Sequence, residues 1–147
     1  MTVLFSPAEL AKRLGERFPG SVTETLAEGV ALRPGDLPEA ATFLRDTPEL
    51  NFDYLNFITA VDYYQYFELV YRVTSLEHNH YAVFRVRTPG RDDQSVPSVT
   101  GTWQGADFQE REIFDLFGIS FEGHPNLHRI FLWEGFEGHP LRKDYLS

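Results

Sequence analysis

Histidines and carboxylates near the end of the chain are the residues whose types could bind a metal ion. The sequence holds His124, His128 and His139 there, and the acids Glu112 and Asp115 precede them. Imidazole nitrogens and carboxylate oxygens are the ligands of many zinc sites, and His124 and His128 have the i, i+4 spacing of two ligands on one helix face. These residues would suit a stand-alone enzyme that uses a histidine-bound metal.

The neighbours of His124 favour a structural role for its imidazole. Gly123 precedes His124 and Pro125 follows it, and a Gly-His-Pro triplet is typical of a turn rather than of a helix. A second Gly-His-Pro triplet surrounds His139. We therefore interpret these imidazoles as side chains that hydrogen-bond neighbouring loops or contact a partner, and we keep the metal enzyme as the alternative.

Three carboxylates just before the histidines could instead supply an acid/base pair. Glu110, Glu112 and Asp115 lie in a predicted helix, and general acid–base catalysis often uses such groups. However, Asp107, Arg111 and Asp115 follow one another at intervals of four and share a helix face. Helix carboxylates beside an arginine are more often structural, so the sequence predicts that Asp107 or Asp115 binds Arg111.

No other kind of reactive site is indicated by the sequence. The chain has 147 residues and no cysteine, which excludes disulfides, thiolate nucleophiles and the usual ligands of iron–sulfur clusters. Its glycines do not have the spacing of a phosphate-binding loop or of a nucleophile elbow. We expect no catalytic residue, no cofactor and no metal in this chain.

Charge and hydropathy limit the partners that the chain could bind. It carries 22 acidic and 13 basic residues, a formal net charge of −9 at pH 7, and such a surface repels nucleic acid. The sequence contains neither a run of about 18 apolar residues nor a signal peptide. We expect a water-soluble chain that reaches a membrane only through a partner.

The periodicity of the sequence predicts a single α+β domain. We expect a mixed, mainly antiparallel sheet of about five strands, two N-terminal helices, one helix after the sheet and an ordered C-terminal loop. The helix signals are capping residues followed by proline and glutamate at Ser6 and Asp36. The predicted parts are a helix–strand–strand–helix part (1–50), a strand meander with a loop (51–105), and a helix with the C-terminal loop (106–147).

Within those parts, apolar patterns set the expected elements. Residues 55–61 are evenly apolar and are predicted to lie at the centre of the sheet, because a central strand is buried on both faces. The other predicted elements are strands at 22–26, 30–33, 67–74 and 82–87, a loop at 88–100 and a helix at 106–117.

The end of the chain combines loop residues with large apolar and basic side chains. Gly118 is predicted to end the last helix in a left-handed conformation. Leu141 and Tyr145 are expected to anchor an ordered tail in which Arg142 or Lys143 faces a partner. Three more aromatic side chains are expected to pack on the sheet or on a partner: Phe131, Trp133 and Phe136.

The order of residues from 110 to 145 resembles the signature of a known family. The family is the thirty-kilodalton, or C-type, subunit of proton-pumping NADH:quinone oxidoreductase, which is respiratory complex I. The resemblance is dense over this stretch, looser back to about Phe52, and limited to the order of elements before that. The matching residues are Glu110-Arg111-Glu112-x-x-Asp115-Leu116-Phe117-Gly118-Ile119, then Phe121-x-Gly123-His124-Pro125, Leu127 and Arg129-Ile130, and finally Gly138-His139-Pro140-Leu141-Arg142-Lys143-Asp144-Tyr145.

The resemblance implies a non-catalytic role in a larger assembly. Members of the family are hydrophilic subunits of the peripheral arm and carry neither flavin nor cluster, so FMN and the iron–sulfur clusters are expected in partner subunits. The implied partner is the large, D-type quinone-site subunit, at the cytoplasmic face of the cell membrane. The residues implied as partner interface or structural signature are Glu110, Arg111, Glu112, Asp115, Gly118, Gly123, His124, Pro125, Arg129, Gly138, His139, Pro140, Arg142, Lys143 and Asp144.

The resemblance leaves the surrounding complex open. Related subunits occur in membrane-bound hydrogenases and in ferredoxin-linked complexes, so an equivalent subunit of such a complex is the alternative. Longer family members carry a C-terminal extension that wraps the large subunit, whereas this sequence stops at Ser147. Leu146 also stands where many members have proline.

Overall fold

The structure is a computed structural model, and it describes residues 1–130, 132 and 137–144. Three α-helices and eight strands are present in this part of the chain. None of its helices is both long enough and apolar enough to cross a lipid bilayer. The helices are α1 (Pro7–Arg17), α2 (Leu37–Asp46) and α3 (Ala106–Phe117), and the strands are β1 (Val3–Leu4), β2 (Val22–Thr25), β3 (Gly29–Leu32), β4 (Tyr54–Asp62), β5 (Phe67–Ser75), β6 (His80–Arg87), β7 (Ser95–Pro97) and β8 (Ser120–Glu122).

Six of the strands form one mixed sheet, which confirms the predicted α+β fold. The strand order is β2-β3-β6-β5-β4, and β1 also pairs with β6. β1 and β3 run parallel to β6, whereas the pairs β2/β3, β4/β5 and β5/β6 are antiparallel. The predicted meander from β4 to β6 is therefore present, and the short N-terminal strand β1 is an addition.

The prediction that residues 55–61 lie at the centre of the sheet is wrong. β4 lies at one edge of the sheet, because β5 is its sole partner among the described strands. Its apolar character has two sources: Leu55 and Ile58 face the core, whereas Tyr54 and Phe57 are exposed on the other face. On the free edge of β4, the Gln109 side chain of α3 accepts a hydrogen bond from the Ile58 amide at 2.5 Å.

One face of the sheet carries the core and receives the helices. Tyr71 of β5 is fully buried and stacks on Phe84 of β6 with ring centroids 4.9 Å apart. The Trp103 indole, which also lies in this core, donates to the Phe52 carbonyl at 2.9 Å. The helices add buried side chains to the same cluster, among them Leu10, Leu14, Leu37, Leu44, Ala106 and Ile113.

The start of α1 shows how local sequence fixes an element. The Ser6 hydroxyl accepts a hydrogen bond from the Glu9 amide at 3.2 Å, as the predicted cap requires. Glu9 does not complete the capping box, because its carboxylate binds Arg13 at 3.1 Å instead. The Glu9 carboxylate thus pairs with Arg13, one turn further along the helix, instead of accepting a hydrogen bond from the Ser6 amide.

The predicted loop at 88–100 contains one short strand. β7 pairs in parallel with β8, and Val96 lies opposite Phe121. Three residues are too few for an alternating pattern to be recognised, so the pairing depends on the tertiary fold. This two-stranded sheet attaches the loop to the segment that follows α3, where most of the signature residues lie.

Candidate functional site

Helix α3 positions the candidate site, and its bounds agree with the prediction. Gly118 follows it with φ of 78°, the predicted left-handed conformation. A Cβ atom added to Gly118 would also lie 2.6 Å from Cδ2 of His139. Glycine is therefore required here for two reasons, the backbone conformation and the close approach of the C-terminal loop.

The buried carboxylate of Asp115 organises the segment after α3. Its side chain is fully buried, and Oδ1 accepts a hydrogen bond from Arg129 Nε at 2.5 Å. Oδ2 accepts from the backbone amides of Ile130 and Leu132 at 3.1 and 3.2 Å. A buried carboxylate needs such an opposing charge and donors, so Asp115 fixes the chain around residue 130.

The prediction that Arg111 is held by a carboxylate of its own helix is wrong. Arg111 Nε lies 3.5 Å from the carbonyl oxygen of His128, and no carboxylate of the described residues pairs with Arg111. Asp115 points into the fold, where Arg129 reaches it from the following loop. The i, i+4 spacing shows which residues share a helix face but not which tertiary partner arrives there.

The carbonyl oxygen of Asp115 is also occupied, by two side chains of the C-terminal segment. Arg129 donates to it at 2.7 Å and to the Gly138 carbonyl at 2.7 Å. His139 Nδ1 lies 2.9 Å from the same Asp115 oxygen. Because a carbonyl oxygen only accepts, Nδ1 carries the hydrogen, and the 3.4 Å approach of Arg129 to Nδ1 is a contact between two donors.

The last two carbonyl groups of α3 receive donors from the tail. The Leu141 amide donates to the Leu116 carbonyl at 3.0 Å, and Arg142 Nε donates to the Phe117 carbonyl at 2.6 Å. Helix C-terminal carbonyls lack partners within the helix, and a cation there interacts favourably with the helix dipole. The tail thus caps α3, although Leu141 itself is 53% exposed and its side chain is not the buried anchor that the sequence predicted.

A second buried acid, Asp62, ties the tail to the end of β4. Arg91 binds both carboxylate oxygens, and the amides of Tyr64 and Lys143 each donate at 2.8 Å. The Arg91 hydrogen bond, with the two amides, holds the pKa of Asp62 well below its usual range. Arg91 also lies 3.3 Å from Asp144, so a loop and the tail meet at this pair. The sequence did not predict the pairing of Asp62 with Arg91, because no local spacing links two residues that lie so far apart along the chain.

The two basic residues of the tail have different environments. Arg142 also donates to the Arg91 carbonyl at 3.2 Å and lies 5.2 Å from the Phe67 ring centroid, so it is held by its own chain. Lys143 is exposed, with its ammonium 4.9 Å from the Tyr64 ring centroid. Of the pair, Lys143 is the cation available to a partner. The predicted tail residue Tyr145 and the aromatic residues Phe131, Trp133 and Phe136 lie outside the described residues.

Glu110 of α3 is also a buried acid. Its side chain accepts from the Ser98 hydroxyl at 2.6 Å and from the Val99 amide at 2.9 Å. Burial raises the pKa of Glu110, and these two hydrogen bonds oppose the shift. Burial, followed by the charge of Glu110, likewise raises the pKa of Tyr71. Both oxygens of Glu110 are engaged with the loop before α3, so its role here is to position that loop.

The histidines do not converge. The buried His124 side chain accepts the Asn126 amide at Nδ1 (2.9 Å), so its hydrogen lies on Nε2 and points to the Asp107 carbonyl at 3.2 Å, with Oδ1 of Asp107 3.0 Å away. His139 binds the other end of α3, as described above. Across the described ranges, no three histidine, aspartate or glutamate side chains are grouped so that they could hold a metal ion.

The signature residues thus divide by burial. Glu110, Asp115 and the side chain of His124 are buried and bind loops of the same chain. Another set is exposed on the surface that these loops form: Gly123, Pro125, Gly138, Lys143 and Asp144. The remaining signature residues, Arg111, Glu112, Gly118, Arg129, His139, Pro140 and Arg142, are partly buried. The arrangement builds a shaped surface on the loop after α3 and the tail.

Comparisons with known proteins identify the family. A family model described as "Respiratory-chain NADH dehydrogenase, 30 Kd subunit" matches residues 30–147. The chain is 43% identical to a C-type subunit (number 2) of the NADH-quinone oxidoreductase of Rhizobium meliloti (strain 1021) over 148 residues, which cover 95% of this chain and 79% of the relative. It is 48% identical to the C-type subunit of the same enzyme in Roseiflexus sp. (strain RS-1) over 120 residues, 78% of this chain and 67% of the relative.

A solved structure extends the comparison to three dimensions. The chain is similar to one in the structure of the membrane-bound sulfane sulfur reductase, an archaeal respiratory membrane complex, with a TM-score of 0.74 and 27% identity. The alignment covers 94% of this chain and 84% of that one. The fold, the signature residues and the family match agree, and the chain belongs to the family of the 30 kDa subunit of respiratory-chain NADH dehydrogenase.

Proposed function

We propose that this chain is a non-catalytic scaffold in the peripheral arm of a proton-translocating NADH:quinone oxidoreductase, where it binds the large, D-type quinone-site subunit. The observation that carries the proposal is that the buried acids of the signature bind groups of this same chain. Asp115 is neutralised by Arg129, and Glu110 binds the loop before α3. Because these acids are engaged within the chain, they shape a surface rather than form a reactive site.

The proposed binding surface consists of the loop after α3 and the tail. Pro125, Leu141 and Lys143 are exposed on it, while the backbone beneath is held by Asp62, Asp115 and the carbonyl groups at the end of α3. Loops that are exposed at the side chain and fixed at the backbone lose little conformational entropy on binding. This combination favours recognition of a partner protein.

The redox chemistry of the complex is assigned to other subunits. The chain has no cysteine to ligate an iron–sulfur cluster. We place FMN and the clusters in partner subunits and the chain at the cytoplasmic face of the membrane. On this proposal the chain alone oxidises no NADH and has no flavin or cluster absorbance in the visible range.

The similarity to the sulfane sulfur reductase supports one second candidate. The same fold occurs there in a respiratory membrane complex that is named for a different activity. This chain could then be the equivalent subunit of a membrane-bound hydrogenase or of a ferredoxin-linked complex. The two candidates share the scaffold role and differ in the electron donor.

Purification of the tagged full chain from detergent-solubilised membranes tests both candidates. We expect co-purification of the large subunit together with flavin- and NADH-binding subunits, and NADH oxidation by the purified assembly. A nickel-containing or ferredoxin-linked set of subunits would support the second candidate. NADH:quinone reductase activity of the chain alone, or flavin in it, would contradict the scaffold role.

A further inference from the structure

The face of the sheet opposite the core has the composition of a protein-binding surface. We call it the outer face; it consists of the residues of β4, β5 and β6 whose side chains alternate with the core residues. Phe57, Arg72 and Val83 lie side by side across the three strands, while the next row, Ile58, Tyr71 and Phe84, belongs to the core. The helices bury their apolar side chains in that core, on the other side of the sheet.

Large apolar groups remain exposed on this face. Tyr54 is 51% exposed and Phe57 is 39% exposed. The water-facing side of an antiparallel sheet is usually polar, whereas protein interfaces are enriched in aromatic residues and arginine and poor in lysine and acids. The outer face carries Tyr54, Phe57, Tyr81 and three arginines, and its acid Glu68 is only 1% exposed.

Arg72 stands out among the arginines, because it pairs with no carboxylate of the described residues. Its guanidinium carbon lies 3.9 Å from the centroid of the Tyr81 ring. Stacking holds the planar group in place and leaves its N–H donors at the rim of the ring. A guanidinium fixed in this way is prepared to bind a carboxylate with little further loss of side-chain entropy.

The other two arginines are already bound to acids, and the face as a whole is cationic. Arg85 and Arg87 bind the two oxygens of Glu68 at 3.0 and 2.8 Å, and Arg87 lies 3.5 Å from Glu24. Three arginines therefore face two acids, a local charge of +1 on a chain of net charge −9. Such a patch attracts an acidic surface, and a second copy of this chain would set cation against cation.

We propose that the outer face is a second docking surface, bound by a neighbouring protein that places an acidic side chain on Arg72 within an apolar contact around Tyr54 and Phe57. This inference rests on the proposed membership of a multi-subunit complex. It adds a partner on the side of the sheet opposite the helices, distinct from the subunit that covers the loop after α3 and the tail. The chain would then bind two neighbouring subunits instead of one.

Site-specific photo-crosslinking in the intact complex tests the proposal. Phe57 is replaced by p-benzoylphenylalanine in the full chain, and membranes are irradiated before purification. We expect an adduct whose partner peptide contains aspartate or glutamate and belongs to a different subunit from the adduct formed by the same probe at position 141. An adduct with a second copy of the chain, with the same subunit as position 141, or with no protein at all would overturn the proposal.

Reversing the charge of Arg72 tests whether this residue binds the partner. Arg72→Glu should lower the yield of the position 57 adduct by at least about tenfold, because it sets an acid against an acid in a desolvated contact. The matched control is Lys12→Glu, which makes the same change in net charge at an exposed position of α1 and should leave the yield unchanged. An equal effect of both variants would contradict a role for Arg72.

The position 141 adduct separates this inference from the proposed function. If Arg72→Glu leaves that adduct intact, the chain is folded and assembled, and the loss at position 57 is local. A missing adduct at position 141 with a normal one at position 57 would refute the proposed contact of the tail while supporting the outer face.

Discussion

Arg129 binds Asp115 twice, once at its carboxylate and once at its carbonyl oxygen. Nε lies 2.5 Å from Oδ1, and a terminal nitrogen lies 2.7 Å from the backbone oxygen. One side chain therefore neutralises a fully buried acid and also caps the end of α3. The loop that carries Arg129 is fixed to the helix by a charge pair, and the proposed binding surface depends on that attachment.

Removal of Arg129 should destabilise the chain far more than removal of Arg111. Arg129→Ala leaves Asp115 charged and buried, which we expect to lower the free energy of unfolding by about 3–5 kcal/mol. Among the described residues, Arg111→Ala removes a 3.5 Å contact to a carbonyl, and it should cost less than about 1 kcal/mol. Urea unfolding of the full chain at pH 7 measures both.

The companion variant Asp115→Asn shows whether charge is the cause. Added to Arg129→Ala, it removes the buried negative charge and should recover part of the lost stability. Equal losses for Arg129→Ala and Arg111→Ala, or no recovery in the double variant, would refute the assigned pair.

Two glycines with the same backbone conformation allow the cost of backbone strain to be measured apart from the cost of a clash with His139. Gly118 and Gly123 have φ of 78° and 82°, but an added Cβ would lie 2.6 Å from His139 at Gly118, whereas at Gly123 it would meet no atom of the described residues within 4 Å. Gly123→Ala should cost about 1 kcal/mol for the backbone alone. Gly118→Ala should cost clearly more, because it also displaces the imidazole.

Thermal or urea unfolding compares these variants, and His139→Ala provides the check. In a background that lacks the imidazole, the cost of Gly118→Ala should fall towards that of Gly123→Ala. If Gly118→Ala and Gly123→Ala have equal costs in the parent chain, the tail does not pack against the end of α3.

The Asp62–Arg91 pair predicts a loss of stability in acid. Because Arg91 lowers the pKa of Asp62 below its ordinary value of about 3.8, the folded chain binds fewer protons than the unfolded chain below that pH. The stabilisation is complete above the ordinary pKa and is lost as the pH falls towards the folded pKa. Asp62→Asn should therefore be less stable at neutral pH and show a shallower decline on acidification.

Unfolding curves between about pH 7 and pH 2 measure this difference. Asp46→Asn is the matched control, since the Asp46 side chain also pairs with an arginine, Arg45, but is 57% exposed, where ion pairs contribute little. A parallel shift of the Asp62→Asn curve, with the same decline in acid as the parent, would show that the acid-sensitive group lies elsewhere.

Glu110 should have the opposite pH dependence. Its pKa is raised by burial, so the folded chain binds more protons than the unfolded chain just above the ordinary value of about 4.5, and stability falls as the pH rises through that range. Glu110→Gln should abolish this decline. A glutamine can accept from the Val99 amide and donate to Ser98, whereas Glu110→Ala leaves the Val99 amide unpaired and should cost about 1–3 kcal/mol.

The stability of both variants is compared with that of the parent chain on the alkaline side of the ordinary pKa, from about pH 4.5 to pH 7. Glu110→Gln as unstable as Glu110→Ala at pH 7 would mean that the ionised carboxylate itself is required, and that its burial is offset by charges other than those named above.

Local signals in the sequence are sufficient for the elements that begin and end by local rules. The bounds of α3 follow from its apolar spacing and from Gly118, and the cap of α1 follows from Ser6. The position of β4 in the sheet cannot be found this way. Its apolar run resembles a central strand, because the exposed Tyr54 and Phe57 have the same sequence pattern as core residues.

The residues of the candidate site can be identified by type and order, but their partners cannot. Spacing predicts that Asp115 binds Arg111 on its own helix, whereas Arg129 binds it from a loop. The Asp62–Arg91 pair joins residues that no periodicity connects. Such pairs are set by how the chain folds back on the sheet, and a single sequence records them only as isolated charges.

The central claim, that the loop after α3 and the tail bind the large quinone-site subunit, is tested most directly by photo-crosslinking at Leu141. Its side chain is 53% exposed, while its amide is fixed to the end of α3 at 3.0 Å, so a probe there points from a rigid backbone into the surroundings. Leu76, which is 67% exposed just after β5, provides a matched control leucine. Irradiation of membranes should join position 141 to the large subunit and position 76 to it far less; an adduct at position 141 with any other protein, or none, would contradict the account.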